Sequence, residues 1–295
     1  MQKVTHSEYI AQKKPLAKQL LAKLNEKYQY ASVLITDNYE KGYRASRSGV
    51  AISATNAFGG KGMIVKVYDG KGYAEYSTNE ITAENLPEIE REIEQQLMNP
   101  ANFIPEGTEE AEYKCISDEP CTLCEATDYE IHPREVGDEK LIETVTALRE
   151  KAVKADERIL DAITGFNYQE YHKLFLSANR ELEQSVLYST GIMALVAAKG
   201  EEIKQSFRGF SNLGGAELLD KMESAIPQCV KTVTDLLNAE PMEPGTYECI
   251  CTPEVTGMIV HEAFGHGVEM DMFVKDRALA QSYICLLYTS DAADE

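Results

Sequence analysis

Apolar residues recur along the chain at two periods, 3.6 and 2, and the switches between them divide it into elements. Leu16, Leu20 and Leu24 fall at i, i+4 and i+8. They predict an amphipathic first helix over 15–27, opening on Pro15. Tyr30–Thr36 and Gly49–Ala54 alternate as strands do. Gly62–Tyr68 and Lys71–Tyr76 flank Asp69-Gly70, which predicts a hairpin. Thr82 then heads a helix running to about Leu97, with Leu86, Ile89, Ile93 and Leu97 on one face. Between 99 and 138 the periodicity stops, and Pro100, Pro105, Pro120 and Pro133 punctuate polar, acidic sequence that reads as a linker.

Periodicity resumes with a helix over about Glu139–Ala155. Strands are expected at Ile159–Phe166, Lys173–Ser177, Glu183–Thr190, Met193–Ala198 and Glu202–Phe210, with Gly191 turning a second hairpin. Gly214-Gly215 precedes a helix over about Ala216–Leu237. Pro241 and Pro244 mark a boundary, Thr246–Cys251 reads as a strand, and Thr252-Pro253 starts a further helix. The pattern predicts an α+β protein of hairpins and packing helices. Residues 1–98 form an N-terminal α+β domain, 99–138 a linker, 139–240 a middle α+β domain, and 241–284 the start of a third domain.

Composition narrows the function. The 295 residues carry 29 Lys+Arg against 49 Asp+Glu, a formal charge of −20, and 43% are hydrophobic. A chain of this kind buries a real core. Its acidity argues against nucleic acid or an anionic membrane as partner, because both demand clustered basic residues. No apolar run is long enough to span a bilayer, and the N-terminus lacks the apolar stretch of a secretory signal. Seven irregularly spaced cysteines fit a reducing, cytoplasmic setting.

The chemistry concentrates in Gly257-Met258-Ile259-Val260-His261-Glu262-Ala263-Phe264-Gly265-His266-Gly267, with Glu269 and Asp271 beyond. Two imidazoles and a carboxylate are the raw material of a metal-dependent hydrolase. The common zinc arrangement spaces its histidines i, i+4, whereas His261 and His266 are i, i+5. In a straight α-helix, five residues turn through about 500° and leave the two rings roughly 140° apart. A local π-turn would bring them together, and Gly265 and Gly267 offer permissive backbone for one. Val255, Met258 and Ile259 form an apolar stripe whose next position is Glu262, so that carboxylate is expected on the buried face. On residue chemistry alone a second reading stands beside the metal one: two structural histidines at a helix C-terminus, where imidazolium suits the dipole.

The segment GMIVHEAFGHGVEMD resembles the signature of the TldD/PmbA family of cytosolic metalloproteases, in particular its metal-bearing TldD-type subunit. Ser77-Thr78-Asn79, Gly191-Ile192-Met193 and Gly214-Gly215-Ala216-Glu217 agree in order with the family's first and middle domains, and the resemblance covers about 10–284. It implies that His261 and His266 bind one zinc ion per metal-bearing subunit and that Glu262 is the catalytic glutamate. The family's remaining ligand is a cysteine in a β-rich C-terminal domain, with no counterpart in this chain. By this reading the chain is a truncated metallopeptidase, inactive by itself. The resemblance further implies extended peptides as substrates and assembly with a PmbA-type (TldE) subunit or a second copy. It also brings the older label of modulator of DNA gyrase. A non-catalytic, peptide-binding or regulatory subunit of the same complex is the alternative; its mark would be loss of one of the three residues, and all are present.

Lesser candidates have plainer readings. Cys115, Cys121, Cys124 and His132 make C-x5-C-x2-C-x7-H, which matches no standard zinc module. Cys249 and Cys251 share one face of the expected strand, where small core packing is the simpler role. Glu269 and Asp271 are either partners of the histidines or a solvated acidic segment. From Cys285 the sequence CLLYTSDAADE resembles translated adapter read-through and is set aside as a non-native tail. Deleting 285–295 is therefore expected to leave the thermal midpoint nearly unchanged; a large drop on melting would mark the tail as part of the fold.

Overall fold

A computed structural model describes residues 1–54, 60–98, 115–269, 271–272 and 277. The chain opens with β1 (Gln2–Lys3) and turns at Ser7 into α1 (Glu8–Lys27). The Ser7 hydroxyl accepts from the Ile10 amide at 3.2 Å and caps the helix about two turns before Pro15. Pro15 thus lies inside α1 rather than at its start, because an earlier cap and the buried Ile10 outweigh one lost backbone bond. Four strands follow: β2 (Tyr30–Ser46), β3 (Gly49–Ala54), β4 (Gly60–Tyr68) and β5 (Tyr73–Thr78). The expected hairpin joins β4 to β5. The Asp69 carboxylate accepts from the Lys71 and Gly72 amides at 2.8 and 3.0 Å, and Gly70 takes the positive φ of 102° the turn requires. In α2 (Leu86–Met98), Leu86, Ile89 and Ile93 are buried on one face as their spacing predicts.

The polar stretch is not all linker. Residues 99–114 lie outside the described residues, but β6 (Cys121–Ala126) runs parallel to a later strand and β7 (Asp128–Tyr129) pairs with β1. The short α3 (Pro133–Val136) and then α4 (Asp138–Lys154) follow. Next come β8 (Ile159–Ser177), β9 (Arg180–Lys199), β10 (Glu202–Leu213) and α5 (Leu218–Leu236). Where the sequence predicts two pairs of short strands, the structure has two long ones. Each keeps its pairing through the polar residues that weaken its apolar alternation, since neighbours on both sides satisfy the backbone.

Among the described residues these strands form one eight-stranded sheet, ordered β10-β9-β8-β2-β4-β5, with β3 beside β2 and β6 beside β9. The sheet crosses the division that the sequence suggests at 99–138, and residues 1–239 make one compact unit. β2 decides this. Its odd-numbered residues all point to one face. Ala31, Val33 and Ile35 pack with α1 and α2, while Tyr43 and Ala45 pack with α4 and α5. Two apolar clusters therefore sit side by side on the same side of one sheet.

Gly191 does not turn a hairpin. It lies inside β9, opposite Phe166 on β8 and Phe210 on β10. A Cβ built there would come within 2.4 Å of the Met222 sulfur on α5. Glycine at this position lets the helix seat against the sheet. Gly191→Val is expected to cost about 1–3 kcal/mol of stability, read from the urea midpoint, and Met222→Ala should recover part of it by vacating the space.

Candidate metal centre

Residues 240–295 form a second unit. Its first part departs from expectation. Thr246–Cys251 forms no strand, because among the described residues it has no neighbour to pair with. Cys249 and Cys251 are accordingly exposed rather than packed in a core. The helix start is as the sequence predicts. Thr252 takes the extended N-cap conformation (φ −67°, ψ 160°), Pro253 opens α6 (Pro253–Val260), and the Thr256 amide donates to the Thr252 carbonyl at 2.9 Å.

At His261 the winding changes. Residues His261–Gly265 form a π-turn, and His266–Val268 close the segment as a 3-10 turn. The His266 amide donates to the His261 carbonyl, an i to i+5 bond that stacks the second histidine over the first. The two imidazole rings lie 4.6 Å apart, edge to face. His261 Nε2 is 3.9 Å from one Glu262 carboxylate oxygen and His266 Nε2 is 3.7 Å from the other. Ligand atoms of all three residues fall within 4.8 Å of one another, and no other such group occurs among the described residues.

The glycines contribute less than their flexibility suggests. Gly265 has φ −55°, ordinary right-handed backbone, and a Cβ there would meet only van der Waals contacts. The π-turn is a change of hydrogen-bond register that any residue can follow. The apolar stripe also differs from expectation. Val255, Met258, Ile259 and Phe264 are each at least half exposed, and the Glu262 side chain is 61% exposed. Among the described residues nothing packs over this face of α6, so the carboxylate is solvated rather than buried.

The donor set fits a hydrolytic metal. Imidazole nitrogens bind zinc at about 2.0–2.1 Å, so two ligands on one tetrahedral ion stand about 3.4 Å apart. The ligand atoms of His261 and His266 lie within 4.8 Å of one another. Glu269 supplies a further element of such sites: its carboxylate meets His266 Nδ1 at 2.7 Å, which fixes the ring and leaves Nε2 facing Glu262. That hydrogen bond, then the charges of Glu269 and Glu262, hold the His266 pKa above its ordinary value. Asp271 makes contacts of its own.

The C-x5-C-x2-C-x7-H residues do not come together. Cys121 and Cys124 are exposed on β6, and His132 instead caps α3, accepting from the Arg134 amide at 3.3 Å. His132 belongs to a group that sequence reasoning missed. Its Nε2 is 3.6 Å from Glu170, which Arg134 Nε also approaches at 2.8 Å and His172 Nε2 at 3.6 Å. Glu170 and His172 are buried; burial pushes the glutamate's pKa up, but its contact with His172 and then the Arg134 guanidinium outweigh that and hold it below its ordinary value. A signal was there: Glu170 and His172 occupy the same parity on β8 as the core residues Phe166, Tyr168 and Leu174.

The chain has the TldD/PmbA-type fold. It superposes on a modulator of DNA gyrase from Bacteroides thetaiotaomicron with a TM-score of 0.64 at 16% identity, covering 86% of this chain and 56% of that one. TldE from Thermococcus kodakarensis gives a TM-score of 0.51 at 14% identity over 74% of this chain and 47% of that one. Curated relatives are named metalloproteases. One from Archaeoglobus fulgidus is 32% identical over 95 residues, which is 32% of this chain and 22% of the relative. One from Methanocaldococcus jannaschii is 20% identical over 259 residues, 87% of this chain and 55% of the relative. The chain thus spans from about a fifth to about half the length of these curated relatives. No family model matches it.

Because the His266 pKa is raised, its contact with Glu269 is strongest while the ring is protonated and weakens as pH rises through the shifted pKa. In metal-free protein, Glu269→Gln is expected to lower the His266 pKa toward that of a free imidazole, followed by proton NMR of the ring. An unchanged titration would dissociate Glu269 from the site.

Proposed function

We propose that this chain carries the metal-binding helix of a TldD-type zinc metallopeptidase of the cytoplasm, with His261 and His266 as ligands and Glu262 as the catalytic carboxylate. One observation carries the reading: the i to i+5 bond between His266 and His261 turns both imidazoles toward a single carboxylate. A zinc ion held there supplies a Lewis acid that polarises a peptide carbonyl and eases deprotonation of water. Glu262 takes the proton from the attacking water and returns it to the leaving amine. Glu269 keeps the His266 ring oriented, so that Nε2 alone is offered inward.

The substrates are extended peptides, bound through backbone hydrogen bonds that make little demand on sequence. The partner is a TldE-type subunit or a second copy. A TldE structure shares the fold, which supports the first choice. The curated relatives named metalloproteases support the reaction class.

The test is made in the full-length protein. Glu262→Gln is expected to abolish peptide cleavage, a loss of about 100-fold or more, while zinc remains bound. His261→Ala should lose zinc, measured by elemental analysis, together with activity. Wild-type cleavage by Glu262→Gln would refute the mechanism. Absence of zinc from the wild-type protein would favour the non-catalytic subunit instead.

A further inference from the structure

The chain's five histidines fall into two groups. His261 and His266 form the exposed pair above. His6, His132 and His172 belong to the 1–239 unit, and two of them extend into a hydrogen-bonded array that ends at a thiol. Cys124 Sγ lies 3.4 Å from His6 Nε2. His6 Nδ1 lies 3.0 Å from Ser185 Oγ and 3.6 Å from Glu183. Ser185 Oγ lies 2.9 Å from His172 Nδ1, and His172 Nε2 faces Glu170 at 3.6 Å. Residues 124, 6, 185, 172 and 170 come from four separate segments, so tertiary structure alone assembles them.

The array has a polarity. Ser185 has one hydroxyl proton, so it donates to one imidazole and accepts from the other. The Glu170 carboxylate, 3.6 Å from His172 Nε2, favours the tautomer that carries the proton there. His172 Nδ1 then accepts from Ser185, and Ser185 accepts from the Nδ1–H of His6. This leaves His6 Nε2 as a bare acceptor, and the group facing it is the Cys124 thiol. A nucleophile, a base within hydrogen-bond reach and a third group orienting that base are the parts of an activated nucleophile. Ser185, Glu170 and His172 are all more than nine-tenths buried, which keeps the orienting half of the array from wandering. Cys124 itself is exposed on β6. Among the described residues no other cysteine has a histidine partner. A second feature adjoins the array. His6, His172 and Glu170 also line a cavity of about 620 Å³, together with Tyr39, Lys61 and Arg134.

We propose that Cys124 is a nucleophilic thiol, activated by His6, whose reaction partner is a small uncharged hydroperoxide. Glu183, its register partner across the β6–β9 pair, is ion-paired with Lys14 at 2.9 Å, so it is the chain's net charge of −20 that disfavours anionic electrophiles such as charged disulfides. The step balances within the site. His6 Nε2 takes the thiol proton, and the sulfur attacks one peroxide oxygen. The S–O bond forms as the O–O bond breaks, and the departing oxygen takes the proton from His6 to leave as water or an alcohol. The sulfur is oxidised by two electrons to the sulfenic acid, and the peroxide is reduced by two. This site is independent of the metal centre.

Hydrogen peroxide with a sulfenate-trapping dione, followed by mass spectrometry of each cysteine, tests the proposal on the whole chain. A thiol at its ordinary pKa is only about 3% thiolate at pH 7, so full activation raises its rate by up to about 30-fold. Cys124 is expected to outpace the exposed Cys115, Cys121, Cys249 and Cys251 by most of that factor in the folded wild type. His6→Ala should bring it level with them, and unfolding in urea should do the same. Equal rates in the folded wild type would overturn the proposal without any variant. So would an advantage that persists in folded His6→Ala or in urea, because the array would then have no part in it.

Discussion

The structure of residues 1–239 depends on the pairing of β2 with β8, which runs antiparallel from Ser32 opposite Ser177 to Ala45 opposite Thr164. Closing a loop of that length costs entropy before it gains a single contact. The return is large, since β2 then carries neighbours on both edges and apolar clusters at both ends. Helices from the first third of the chain and from its later part cover the same side of one sheet. The pairing also sets Glu170 opposite Tyr39, so the meeting of the buried carboxylate with Arg134 depends on this register.

The candidate metal centre rests on a constraint of a different scale. One changed backbone hydrogen bond, from His266 to His261, decides whether two imidazoles share a carboxylate or point apart. The histidine spacing and the winding of the helix are mutually dependent: an i, i+5 pair is useful only on a π-turn. Glu269 then fixes one ring from outside.

The two histidine groups contrast in their surroundings. His261, Glu262 and His266 are solvated, so their mutual attraction is screened and their geometry is held by backbone. Glu170 and His172 are buried, where unpaired polar groups are costly and each side chain is pinned by its neighbours. The first arrangement suits ligands that adjust around an ion, the second a fixed relay of hydrogen bonds.

Much of this was legible in the residues themselves. The β4–β5 hairpin, the buried faces of α1 and α2, the Thr252-Pro253 helix start and the π-turn follow from local rules, because a turn, a cap or a histidine spacing is settled within a few residues. The length of β8 and β9 was not legible, since polar residues interrupt their alternation and only neighbouring strands hold them extended. Nor was the role of Gly191, whose reason is the sulfur of Met222 on α5, distant in sequence. The strand that β6 adds, the exposure of α6 and the array from Cys124 to Glu170 were likewise decided by tertiary structure. Local sequence fixes dihedrals and spacing; which distant groups meet depends on sheet register, and register is a property of the whole assembled chain.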